Sequence, residues 1–253
     1  MKCIKFLTII GIAFLLLGCG RSAPKYEKTP VDVLIQQLSD TRDFSIILND
    51  MNYDESKNQY LHKYQILVPR EDTVLSTTTE AMPVSDMFFE KHMNDMGMEI
   101  VSKVDGKITR KPAPPGYNHY VGNEKYGQWR QRDGGSFWEF YGKYAFMSSM
   151  FNMMSYPVHR SYYNDYRSNY YGSRGYYGPS NNGRNYYGTR SSWNQSRSST
   201  AWNSKPGSFK DRVRSRVKQS ASTSRRNLSA KRSRSTSRYG SSSYRSRGGG
   251  FGK

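Results

Sequence analysis

Few side chains in this sequence combine a reactive group with a setting that uses it. Cys19 does: Leu16-Leu17-Gly18-Cys19 closes an unbroken run of apolar and small residues that starts at Phe6. A thiol there can be alkylated to a thioether, and the small Gly18 leaves room for a peptidase to cut before it. The other reactive groups are scattered. His62, His92, His119 and His159 show no metal-ligand spacing, and no HExxH, GxSxG or phosphate-loop pattern occurs. Glu90 and Asp95 are five apart and would share a helix face poorly, while Asp54-Glu55 and Glu71-Asp72 read as solvated turns. Met82, Met87, Met93, Met96 and Met98 would suit a soft metal or an adaptable peptide, but packing in a core uses them more simply. The expectation is a non-enzymatic protein with no cofactor and no metal.

The Leu16-Leu17-Gly18-Cys19 stretch resembles the lipobox of bacterial lipoproteins, with Leu16, Leu17 and Gly18 as the recognition residues and Cys19 as the lipidation site. Lys2 and Lys5 precede the apolar run as a positive n-region, and the run is shorter than the ~20 residues of a spanning helix. The resemblance implies a signal peptide over residues 1–18, removed by cleavage, with diacylglycerol on the Cys19 sulfur and an acyl chain such as palmitate on the freed amine. Two or three chains at ~0.8 kcal/mol per buried methylene make a stable anchor. Cys3 would leave with the signal, so no disulfide or thiolate site remains. The expected address is the cell envelope, facing the periplasm or exterior. Gly20 after the cysteine resembles the enterobacterial outer-membrane sorting pattern, so the outer membrane is expected in a Gram-negative host.

Behind the anchor, residues 19–29 read as a polar tether and residues 30–111 as a small α+β domain. Thr29-Pro30-Val31-Asp32 is a helix start, and Val31, Leu34, Ile35 and Leu38 form a stripe at helical spacing over residues 30–40. Residues 44–48, 60–68 and 73–79 are strand candidates. Ser85 caps a second helix ending by Gly97, and residues 98–104 and 107–111 form a hairpin across Asp105-Gly106. Residues 112–135 are a proline-, glycine- and aromatic-rich loop in which Tyr120, Tyr126 and Trp129 either cover the domain or grip a ligand such as a sugar face.

Residues 136–155 predict a hydrophobic helix, with Glu139 and Lys143 its only charges up to Met154. Phe137, Trp138, Phe140, Tyr141, Tyr144 and Phe151 are its candidate contacts with a membrane or partner. Three placements fit: packed on the preceding domain, lying in the lipid interface or a partner's groove, or spanning a membrane.

Charge then divides the chain. The formal charge is +19, yet residues 1–160 hold 19 Lys/Arg against 18 Asp/Glu, whereas residues 161–253 hold 20 against two. Residues 156–190 are a Tyr/Gly/Asn repeat with ten tyrosines and almost no aliphatic side chains, read as disordered and suited to self-association through tyrosine–arginine contacts. Residues 191–253 are a Ser/Arg-rich basic tail, read as disordered. One local helix is possible there, with Phe209, Val213 and Val217 in line. Arg212, Arg214, Arg216, Lys218, Arg225, Arg226, Lys231, Arg232 and Arg234 are the candidate polyanion-binding residues.

A lipoprotein signal, a small domain, the Ser136-Phe137-Trp138 start of a methionine-rich segment and a basic tail with Gly249 to Gly252 as Gly-Gly-Phe-Gly resemble the YgiB-type enterobacterial lipoproteins. That resemblance implies envelope placement and no particular activity. The function expected is a lipid-anchored envelope protein whose tail binds anionic lipid, lipopolysaccharide or a wall polymer. Extracellular nucleic-acid binding or adhesive self-association is one alternative, and membrane assembly through residues 136–154 is another.

Overall fold

The computed structural model describes residues 28–132, 134–154, 158–179, 185–191 and 202–216. The signal, Cys19 and the tail beyond Arg216 lie outside these residues. The first helix, α1 (Pro30–Gln37), starts as its sequence dictates. The Thr29 hydroxyl accepts from the Asp32 N–H, and the Asp32 carboxylate accepts from the Thr29 N–H at 3.0 Å. Val31 and Leu34 turn inward and are buried.

A mainly antiparallel sheet follows. Strands β1 (Phe44–Asp54) and β2 (Gln59–Pro69) pair as a long hairpin, and β3 (Val74–Thr78) and β4 (Met82–Val84) lie end to end along the far edge of β2. Helix α2 (Asp86–His92), capped by the Ser85 hydroxyl, leads to β5 (Glu99–Val104), which pairs with β1 and with β6 (Lys107–Thr109). The turn between β5 and β6 places Asp105 at φ +49° and Gly106 at φ +78°, the left-handed pair that a tight hairpin requires.

Both faces of this sheet are buried, which explains why residues 44–48 are buried without alternation. Phe44, Ile46 and Leu48 meet α1, α2 and the aromatic side chains Trp202 and Phe209 on one side. Ile47, Leu67, Val74 and Met98 meet a second layer on the other, supplied by residues 113–187. That layer holds the hairpin β7 (Gly127–Arg132) and β8 (Gly135–Phe140), a 3-10 turn (Gly142–Tyr144), α3 (Ala145–Met154) and α4 (Arg160–Asn169).

Two expectations are corrected by this layer. No continuous hydrophobic helix forms over residues 136–155: residues 135–140 are a strand, Gly142 starts a separate turn, and the helix begins only at Ala145. The Phe-Trp-Glu-Phe run alternates, so Trp138 and Phe140 share a buried face while Glu139 reaches Arg130 and Arg132 across the hairpin. The tyrosine repeat also departs from the disordered reading. Tyr166, Tyr176 and Tyr187 are buried with Tyr117, and the Tyr117 and Tyr187 hydroxyls lie 2.7 Å apart. Tyrosine rings bury as much surface as aliphatic side chains, and those of Tyr117, Tyr166 and Tyr187 also pair their hydroxyls, so a core forms without leucine or isoleucine. Backbone bonds fasten the repeat as well: the Thr189 N–H donates to the Asn94 carbonyl and the Tyr176 N–H to the Pro112 carbonyl.

Gly116 sits where these layers touch. Its φ is +80°, and a methyl carbon added there would lie 2.5 Å from the ring of the buried Phe151. Gly116→Ala should cost about 1–3 kcal/mol, read as a lower denaturant midpoint with an unchanged slope.

Candidate functional site

Two features present chemistry at the surface: a basic helix docked on the sheet and a polar cleft at the opposite layer. Residues 207–216 are helical. Phe209 and Val213 point into the first core beside Trp202, where the Phe209 ring meets that of Phe89. The cations of this segment are partly matched by the body. Lys205 Nζ lies 2.7 Å from Asp50, and Arg216 lies 2.8 Å from Glu90 and 3.1 Å from Asp86. The Arg212 guanidinium stacks 3.8 Å from the centre of the Tyr53 ring. Of the candidate polyanion-binding residues, Arg212 and Arg216 are therefore held by body side chains, and Arg214 is exposed and pairs with Asp211 within its own helix. Lys218, Arg225, Arg226, Lys231, Arg232 and Arg234 lie outside the described residues, as do Leu16, Leu17, Gly18 and Cys19.

The candidate membrane contacts are brought together, but inward. Trp138, Phe140, Tyr144 and Phe151 are buried in the second core. Phe137 is half-buried and stacks on His159, and Tyr141 is exposed. Packing on the preceding domain is thus the placement adopted, because the apolar faces of β8 and α3 both meet the sheet side rather than solvent. Among the described residues, no helix is long and apolar enough to cross a membrane.

The cleft forms around His119, on the turn-rich stretch before β7. Two adjoining cavities, each of about 640 Å³, share Asp105, His119 and Asn123 in their walls. His119 Nε2 lies 3.3 Å from the Tyr126 hydroxyl, and burial pulls its pKa down, favouring the neutral ring. Asp105 is fixed from two sides: its N–H donates to Asp43 at 2.6 Å and its carboxylate pairs with Arg42 at 2.6 Å. Tyr120 and Tyr126 are buried beneath, covering the domain, while Trp129 is half-buried. Sequence reading singled out these aromatics but missed Asp105, His119 and Asn123, which are adjacent only through the β5–β6 turn. Arg167 and Tyr171, on the far wall, lay in the repeat read as structureless.

His62 and His92 serve the interior. His62 is buried beside Tyr64, and burial drives its pKa down to about 3. His92 Nδ1 lies 2.7 Å from Asp95, whose second oxygen accepts from the Tyr177 hydroxyl at 2.6 Å. This chain ties the tyrosine repeat to the end of α2. Among the described residues, no group of three or more His, Cys, Asp or Glu could hold a metal ion.

No family model matches this chain, and neither a curated protein nor a solved structure is similar to it.

Proposed function

We propose that this is a lipid-anchored, non-enzymatic protein of the cell envelope whose basic C-terminal region binds anionic polymers or lipid head groups. The observation that carries this reading is one-sided charge. Residues 217–253 hold ten Lys/Arg and no Asp/Glu, and they follow a helix whose own Arg212 and Arg216 are engaged by the body. The cations downstream have no acidic residue in their own segment to balance them. Anchoring at Cys19 rests on the lipobox resemblance, and it directs the tail toward lipid, lipopolysaccharide, wall polymer or extracellular DNA. The inward burial of Trp138, Phe140, Tyr144 and Phe151 takes support away from membrane assembly through residues 136–154.

The anchor is tested by intact mass and fractionation of wild type beside Cys19→Ser. Wild type should begin at an acylated Cys19 in the membrane fraction, and the variant should not; an intact Met1 in a soluble fraction would sink the reading. The tail is tested by truncation after Arg216, which spares the docked helix. Full-length protein should bind vesicles of anionic lipid and heparin, and the truncated chain should not. With six or more anionic groups engaged, affinity should fall roughly a thousandfold between about 50 and 200 mM salt. Preference for duplex DNA over both would favour the nucleic-acid alternative.

A further inference from the structure

We infer that the cleft around His119 is a binding site for an uncharged oligosaccharide. Two cavities share Asp105, His119 and Asn123 in their walls; Arg70 and Glu71 also line one of them, and Arg167 and Tyr171 the other. Each has the volume of a small-ligand pocket, and two that share walls suit neighbouring rings of one chain.

The groove's chemistry selects among such chains. Its walls carry both signs of charge, and Arg42 is already matched by Asp105 and Asp43. No net field therefore draws a polyanion or polycation. Carboxylates, the Asn118 and Asn123 amides and cationic donors line the walls together, which is what hydroxyl groups need, since each hydroxyl both donates and accepts. Tyr171 supplies the apolar element: its ring is 41% exposed and is steadied by the Arg167 guanidinium 4.1 Å from its centre. The C–H face of a sugar ring stacks on such a surface. Asp105 is held in the β5–β6 turn at positive φ, and Gly122, also at positive φ, lies close against Tyr163.

The inference stands on the cleft and not on the reading of the tail, and its test separates them. Purified full-length protein carrying Cys19→Ser is titrated with the N-acetylglucosamine tetrasaccharide and with maltotetraose, following heat and the His119 ring resonances. At least one should bind saturably and shift those resonances, with affinity unchanged as salt is raised and unchanged by removing residues 217–253. Tyr171→Ala and Asn123→Ala should each weaken it about tenfold or more. Both residues are exposed, so their melting temperatures should stay at the wild-type value. Absence of saturable binding to both sugars would overturn the inference. So would binding that survives Tyr171→Ala, or that disappears with rising salt or with the tail.

Discussion

Phe209→Ala should lower the melting temperature of the whole body by roughly 8–15 °C, a large effect for a residue in a stretch whose composition reads as tail. The Phe209 ring is buried against Phe89 and Trp202, in the same core as Phe44, Ile46 and Leu48 of the first strand. Removing a buried phenylalanine costs about 3–5 kcal/mol, from lost burial and from the cavity left behind. For a body of this size each kcal/mol shifts melting by about 2–4 °C. The companion measurement is truncation after Arg216, which should leave melting within about 1 °C of wild type. Circular dichroism of the three proteins decides the matter. Equal melting of Phe209→Ala and wild type would mean that residues 202–216 do not belong to the core. A deletion starting at residue 192 would confuse tail loss with core loss, because it removes Trp202, Phe209 and Val213 as well.

The second large effect is a stability gain at high pH from Glu99→Gln. Glu99 is wholly buried on β5, where its carboxylate accepts from the Asn118 side-chain amide at 2.6 Å and from the Gly116 N–H at 3.2 Å. Burial pushes its pKa up to about 7 from the ordinary 4.5, and those two hydrogen bonds only partly oppose the shift. The sign follows directly. Between about pH 4.5 and 7 the folded chain keeps a proton that the unfolded chain has released, so stability falls as pH rises through that window. Above it the penalty is complete, roughly 3 kcal/mol at 1.36 kcal/mol per pH unit. Glutamine carries no charge, but its NH2 cannot accept as the second carboxylate oxygen does, so the variant should lie somewhat below wild type near pH 5, gain on it toward pH 8, and itself show little dependence between. Urea titrations at the two pH values check this; parallel losses for both proteins would show that Glu99 is not the titrating group. The site matters beyond its own energy, since Asn118 also accepts from the Tyr166 hydroxyl of α4. Glu99 thus joins the sheet to the tyrosine-rich layer.

Local signals in the sequence were sufficient for the first half of the fold. The Thr29 cap with its proline and aspartate, the β-rich strand segments, the Ser85 cap and the Asp105-Gly106 turn all act within a few residues, and each appears in the structure close to its expected place. Hydrophobic content misled where packing partners were remote. Residues 136–154 are apolar enough for a buried helix, but a glycine at 142 and a cross-strand partner at 127–132 divide them into strand and helix. Neither the partner strand nor the pairing is visible from the segment itself.

The cleft shows the same division. Asp105, His119 and Asn123 are ordinary surface residues in sequence, and only the folded turns bring them to one wall. By itself the sequence determined what depends on near neighbours and on composition: the caps, the turns and the one-sided charge after residue 216. Tertiary structure decided which aromatic side chains are buried and against what. A tyrosine repeat has the same composition whether it is solvated or packed; the second apolar face of the antiparallel sheet, 68 to 140 residues earlier in the chain, is what makes burial of Tyr166, Tyr176 and Tyr187 favourable.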